Sequence, residues 1–260
     1  MIGVESSRVM RAAPRKAAER VEASVPWDFS RKYAAVHHSG TISVENARKR
    51  SKIGRVMKVE TFETPQDAAK ALAGEVAELI RTRAAEGKNV ILGLATGATP
   101  LPFYAELVRM HKEEGLSFAN VISFNLDEYS GLDRDHPESY WYFMHTNLFN
   151  HIDIKPENIN LPSGTVKDDE IAAHCAAYEQ KIKDCGGIDL QILGIGRTGH
   201  IGFNEPGSDD TTVTRQVHLD ELTRSDAAPA FGGIENVPTT AITMGVATIM
   251  GAREVALMAW

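Results

Sequence analysis

Between residues 64 and 87 the apolar positions recur at helical spacing, with Ala68, Leu72, Val76, Leu79 and Ile80 on one face. Thr64-Pro65-Gln66-Asp67 carries the start signals. The threonine can cap, the proline suits the first helical position, and the acid faces the positive end of the helix dipole. Gly87 stops the helix. The pattern then changes to a continuous apolar run, Asn89-Val90-Ile91-Leu92-Gly93-Leu94, which reads as a buried strand. Pro100 opens a second helix that ends at Gly115, and Val121-Ile122-Ser123-Phe124-Asn125-Leu126 is the next strand. Helices are expected near 138–149 and 168–184, then a third buried strand at 190–194 and a fourth at 254–260. Strands that are apolar throughout are covered on both faces. The expected fold is therefore α/β, a Rossmann-like parallel sheet with helices on both sides. The sequence stops at Trp260 inside a strand, so the sheet is expected to be truncated at its C-terminal end.

In such sheets ligands bind beyond the carboxyl ends of the strands, which directs attention to the loops that follow them. The first is Ala95-Thr96-Gly97-Ala98-Thr99-Pro100. Small residues leading into a helix N-terminus offer free amides and positive potential to a phosphate, and a plain tight turn capped by Thr99 is the alternative. The loop lacks the Gly-Lys-Ser/Thr of a Walker A sequence and has no GxGxxG. The second loop holds adjacent acids, Asp127 and Glu128. Burial and neighbouring charge can raise a carboxylate's basicity until it takes a proton from carbon beside a carbonyl. The alternative has Asp127 capping the next segment and Glu128 solvated. The third loop, Gly194 to Pro206, sets His200 among glycines with Glu205 five residues on. Imidazole moves protons near neutrality, and a nearby carboxylate can orient it. His-x4-Glu without a third ligand is a poor zinc site, and neither a serine elbow nor a Cys–His pair is present.

Charge divides the chain. Residues 1–55 hold twelve Lys or Arg against five acids, whereas residues 56–260 hold sixteen against thirty. The domain reading is a basic extension over 1–55, poorly ordered or partly helical, followed by an α/β domain over 56–260. The acidic body excludes a nucleic-acid surface there. No apolar run reaches membrane-spanning length. The Arg- and Ala-rich start lacks the apolar core of a secretory signal. Cys175 and Cys185 lie ten residues apart, in or beside one expected helix and too far along its axis to pair, which points to a reducing, cytoplasmic setting.

Taken in order, these loops resemble the glucosamine-6-phosphate deaminase family. The matching stretches are Gly93 to Pro100, Phe124 to Tyr129, His136-Pro137-Glu138-Ser139-Tyr140, and Gly199 to Pro206. Leu222-Thr223-Arg224, Val237-Pro238 and Thr243-Met244-Gly245 continue the likeness, which covers roughly residues 57–260. The resemblance implies a deaminase/ribose-phosphate isomerase-like fold and a small-molecule sugar phosphate as partner, with no metal or organic cofactor. Whether identical copies associate is left open. It implies conversion of glucosamine 6-phosphate to fructose 6-phosphate and ammonia. In that scheme Asp127 moves a proton between C2 and C1, and His200 opens the pyranose ring with Glu205 beside it. Thr96, Gly97, Ala98 and Thr99 form the phosphate loop, and Arg224 is the phosphate-binding arginine. Three positions depart from the pattern: Thr198 replaces an acid two residues before the histidine, Thr239 replaces a phosphate-binding lysine, and Val217 replaces a lysine of regulated bacterial members. The Arg-Thr-Gly-His form of the loop resembles a divergent branch that often carries a second, deacetylase-like domain. A 6-phosphogluconolactonase, another sugar-phosphate enzyme or a catalytically weak sugar-phosphate-binding protein are the alternatives.

Overall fold

A computed structural model describes residues 7–12 and 57–260. Apart from residues 7–12, the basic extension expected over 1–55 lies outside the described residues. The main sheet has seven parallel strands. In chain order these are β1 (Ser7–Ala12), β2 (Met57–Phe62), β3 (Val90–Leu94), β4 (Val121–Asn125), β6 (Ile159–Asn160), β7 (Leu190–Leu193) and β10 (Glu254–Ala259). Their spatial order is β2-β1-β10-β7-β3-β4-β6. A second, antiparallel sheet combines β5 (Asp127–Tyr129), β8 (Arg215–His218) and β9 (Thr240–Thr243), in the order β5-β9-β8.

The helix over 64–87 forms as its pattern dictates, as α1 (Pro65–Ala85). The Thr64 hydroxyl accepts the Asp67 amide at 3.1 Å and donates to the Asp67 carboxylate at 2.6 Å. Next, α2 (Leu101–Glu114) starts behind Pro100 and closes on Gly115 in the left-handed region. The third and fourth helices are α3 (Tyr140–Asn147) and α4 (Ile171–Asp184), shorter than the expected 138–149 and 168–184. Later come α5 (Glu221–Phe231) and α6 (Val246–Met250).

The strands without polar alternation feed two cores, one on each side of the sheet. Leu92, Leu94, Ile192, Ala256 and Met258 pack with α1 and α2. Ile91, Phe124, Leu193, Val255 and Leu257 pack with Tyr178 and Ile182 of α4 and Ile249 of α6. Successive residues of β10 thus alternate between the cores, as a doubly covered strand requires. No residue of α5 is buried, so this helix rests on the body through its polar contacts and through Phe231.

Asp189 precedes β7 at the amino ends of the strands. Its buried carboxylate accepts from Arg83 at 2.6 Å, Arg253 at 2.7 Å and the Ile91 amide at 2.9 Å. It ties α1, β3 and the lead into β10 together at the end of the sheet opposite the loops considered next.

Candidate active site

The carboxyl ends of β3, β4 and β7 bring the three loops together. Leu126 continues β4 toward the second sheet, where Asp127 pairs with Thr243, and Thr243 in turn pairs with Arg215. Asp127 is 4% exposed. Burial first, and the Glu128 charge second, push its carboxyl up to about 8. No hydrogen bond reaches that carboxylate from the described residues. Gly202 of the histidine loop lies against it: a Cβ at this glycine would sit 3.3 Å from Asp127 Oδ2 and 2.8 Å from Thr243 Oγ1. With φ +57°, Gly202 also holds a backbone shape that other residues rarely adopt. The Thr243 hydroxyl accepts the Phe203 amide at 3.1 Å. Asn204 donates to the carbonyls of Ile201 and Met244 at 2.9 and 2.8 Å and accepts from Arg215 at 2.9 Å. The histidine loop is therefore fastened to the strand pair that carries Asp127.

Glu128 departs from the solvated alternative. It is buried, and it accepts the amides of Tyr129, Tyr140 and Trp141 at 2.9–3.0 Å. Two of these are free donors at the start of α3. Burial raises its carboxyl and those three amides oppose the rise. Glu128→Ala should therefore lower stability by about 1–3 kcal/mol for each buried donor left alone. Urea unfolding would show a lower midpoint at unchanged slope, and an unchanged midpoint would mean that the amides find other acceptors.

His200 and Glu205 meet. His200 Nδ1 lies 3.2 Å from Glu205 Oε1 and 2.8 Å from Thr198 Oγ1. The Thr198 hydroxyl donates to Glu205 Oε2 at 2.7 Å, and Thr223 on α5 donates to Oε1 at 2.9 Å. In the sequence Thr223 stands only as part of the Leu222-Thr223-Arg224 match, with a role expected for Arg224 alone. Adjacency to that arginine was the available signal.

The loop 96–99 follows β3, with Gly97 at φ +101° and Gly97 and Ala98 exposed. Thr99 faces Gly194 just beyond β7, where an added Cβ would lie 3.7 Å from the Thr99 Cβ. The α2 N-terminus has no side-chain cap, so Thr99 does not serve as the plain cap of the alternative reading. The Thr96 side chain lies beside that of half-buried Tyr140. That tyrosine stacks on Phe203 of the histidine loop, with ring centroids 6.0 Å apart and planes 9° apart. It also meets Tyr129 of the second loop, with ring centroids 5.0 Å apart, so one aromatic side chain touches all three loops.

Arg224 stands on α5, next to Thr223. Its Nη2 donates to the carbonyls of Ile234 and Val237 at 2.8 and 3.1 Å, while its buried Nε has no partner among the described residues. A guanidinium that meets only neutral carbonyls is suited to an anion. Thr239 is exposed. Among the described residues no group of three His, Cys, Asp or Glu side chains is placed to hold a metal ion, and no helix is long and apolar enough to cross a membrane.

Residues 63–260 match the family model for glucosamine-6-phosphate isomerases/6-phosphogluconolactonase. The chain belongs to this family. Among relatives of the isomerase/lactonase family, a glucosamine-6-phosphate deaminase of Thermoanaerobacter sp. is 50% identical over 188 residues, 72% of this chain and 74% of that protein. A longer glucosamine-6-phosphate deaminase-like protein of Bacteroides thetaiotaomicron is 46% identical over 218 residues; this covers 83% of this chain and 33% of that protein. The chain thus spans about a third of the latter's length. A solved structure described as a monomeric glucosamine-6-phosphate deaminase superposes with a TM-score of 0.71 at 42% identity, covering 75% of this chain and 78% of that one. The family assignment and the parallel α/β fold agree with the expectation from the loops.

Proposed function

We propose that this chain converts glucosamine 6-phosphate and water to fructose 6-phosphate and ammonia. One observation carries the reading. Asp127 is a buried carboxyl pushed up to about 8, without a hydrogen-bond partner among the described residues, packed against the glycine two residues beyond His200. A base of that strength is matched to removing a proton from carbon beside a carbonyl. In the proposed sequence the 96–99 loop and Arg224 hold the phosphate. His200 moves the ring proton, and Glu205 steadies the imidazolium as the aldehyde opens. Asp127 takes the C2 proton and returns a proton to C1, which leaves an imine at C2. Water hydrolyses the imine to the ketone and releases ammonia. The named deaminase relatives support this chemistry. Two free cysteines and a phosphorylated substrate fit a cytoplasmic enzyme.

The test is a comparison of substrates. Glucosamine 6-phosphate should yield ammonium and fructose 6-phosphate in equal amounts, while 6-phosphogluconolactone should hydrolyse no faster than in buffer. The reverse preference would make the chain a lactonase, and tight binding of glucosamine 6-phosphate without turnover would make it a sugar-phosphate-binding protein.

Arg224→Ala should raise KM by about tenfold or more, the expected loss of a hydrogen bond to a charged group. With Thr239 in the lysine's place, little remains to compensate. Initial rates across substrate concentration read this directly, and an unchanged KM would leave the phosphate to the 96–99 loop alone.

A further inference from the structure

We propose that Thr198 and Thr223 are positioning residues that hold His200 in one tautomer, hydrogen on Nδ1 and a free lone pair on Nε2, for ring opening. The role in ring opening rests on the deaminase reading above.

The argument is a count of donors. An ionised carboxylate only accepts. Thr198 has a single hydroxyl hydrogen, and at 2.7 Å from Glu205 Oε2 it is given to that oxygen. The threonine oxygen therefore turns lone pairs toward His200 Nδ1, 2.8 Å away. Two lone pairs cannot face each other at that distance, so Nδ1 carries the hydrogen. Glu205 Oε1, 3.2 Å from Nδ1, attracts the same hydrogen. The hydrogen bond made by one imidazole nitrogen fixes the state of the other. Nε2 is thus left as the proton acceptor. It lies over Gly196, where a Cβ would come within 2.1 Å of it, so the glycine makes room for the nitrogen.

Thr223 completes the arrangement from a different element. Its hydroxyl donates to Glu205 Oε1 at 2.9 Å and limits rotation of the carboxylate away from the imidazole. Arg197 of the same loop reaches α5 as well, through Asp226 at 2.8 Å. Thr198 thus orients the imidazole, while the negative charge stays on Glu205 one hydroxyl away.

Long-range proton–nitrogen spectroscopy of the full chain, labelled with 15N-histidine, reads the tautomer without substrate. Wild type should show His200 protonated on Nδ1 above neutral pH. Thr198→Val removes the shorter of the two Nδ1 contacts and leaves Glu205 at 3.2 Å, so the Nε2-protonated share should rise, and an unchanged share would count against the role of Thr198. In kinetics, Thr198→Val should lower kcat by about a hundredfold. KM, and inhibition by the open-chain amino-alditol phosphate, should stay within about twofold, because ligand contacts are untouched. Thr198→Ser should restore most of kcat. Thr223→Val, on a helix without buried residues, should lower kcat by about tenfold and serves if Thr198→Val does not fold. An Nε2-protonated His200 in wild type would overturn the proposal, as would Thr198→Val or Thr223→Val at wild-type kcat. The Nδ1 form in a wild type that releases no ammonia would reject the deaminase reading and leave the tautomer assignment standing.

Discussion

Asp127→Asn is expected to lower kcat by at least about a hundredfold and, at pH 8, to raise thermal stability. The amide keeps the shape of the side chain but cannot take a proton from C2. The gain in stability follows from the same burial that makes the group a base. The wild-type carboxyl is held protonated up to about 8 in the fold, whereas an aspartic acid in the unfolded chain ionises near 4. Below about pH 4 both states bind the proton and this group has no effect on stability. As pH rises from about 4 to 8 the unfolded state alone gives up its proton, and stability falls by at most about 1.4 kcal/mol per pH unit. Asparagine removes that loss. The Tm difference between variant and wild type should therefore be small at pH 4 and widen in the variant's favour toward pH 8. Over the upper part of the same range the wild-type kcat/KM should rise as the carboxylate form accumulates. Thermal melts across pH 4–8 and initial rates across pH 5–9 check both, and a Tm difference that does not change with pH would refute the assigned basicity.

Asp189→Ala is expected to cost about 3 kcal/mol while leaving kcat at moderate temperature unchanged. The carboxylate is 3% exposed and holds two arginines together with the Ile91 amide. Removing it leaves two cations without their acid and orphans a buried donor. The value belongs at the low end for a broken buried pair, because Arg83 and Arg253 are 27% and 40% exposed and can reach water. Catalysis should survive, since Asp189 sits at the amino ends of the strands and the site at their carboxyl ends. Urea unfolding and rates measured well below the midpoint separate the two effects. A loss of kcat in a fully folded variant would contradict this division.

The legibility of the fold follows from which interactions decide each element. The runs at 90–94, 190–193 and 254–259 are apolar but for Gln191 and Glu254, and local pattern alone identifies strands buried on both faces. The antiparallel sheet is a different case. β5 is three residues long with two acids, and it is a strand only because β9, far along the chain, pairs with it. β8 reads Arg-Gln-Val-His, half-buried and without alternation, and α5 has no buried face to set a helical period. At the site, the chemistry-bearing residues Asp127, His200 and Glu205 stood out because of their place after strands. What those neighbours do to one another was not readable. Glu128 became a cap because α3 starts where it does, and Thr198 became a bridge because Glu205 folds back onto it. Both depend on angles between elements that no local spacing encodes.

The central claim is that Asp127 carries the proton between C2 and C1. Reversal of the reaction tests it most directly. Fructose 6-phosphate and ammonium are incubated in deuterium oxide with the wild-type chain or with Asp127→Asn, and the C1 hydrogens of the ketose are followed by proton NMR. The wild type should exchange one C1 hydrogen for deuterium as it forms the imine and draws a proton from C1, and the folded variant should leave both hydrogens in place. Exchange by Asp127→Asn at the wild-type rate would contradict the claim and remove this carboxylate from the proton transfer.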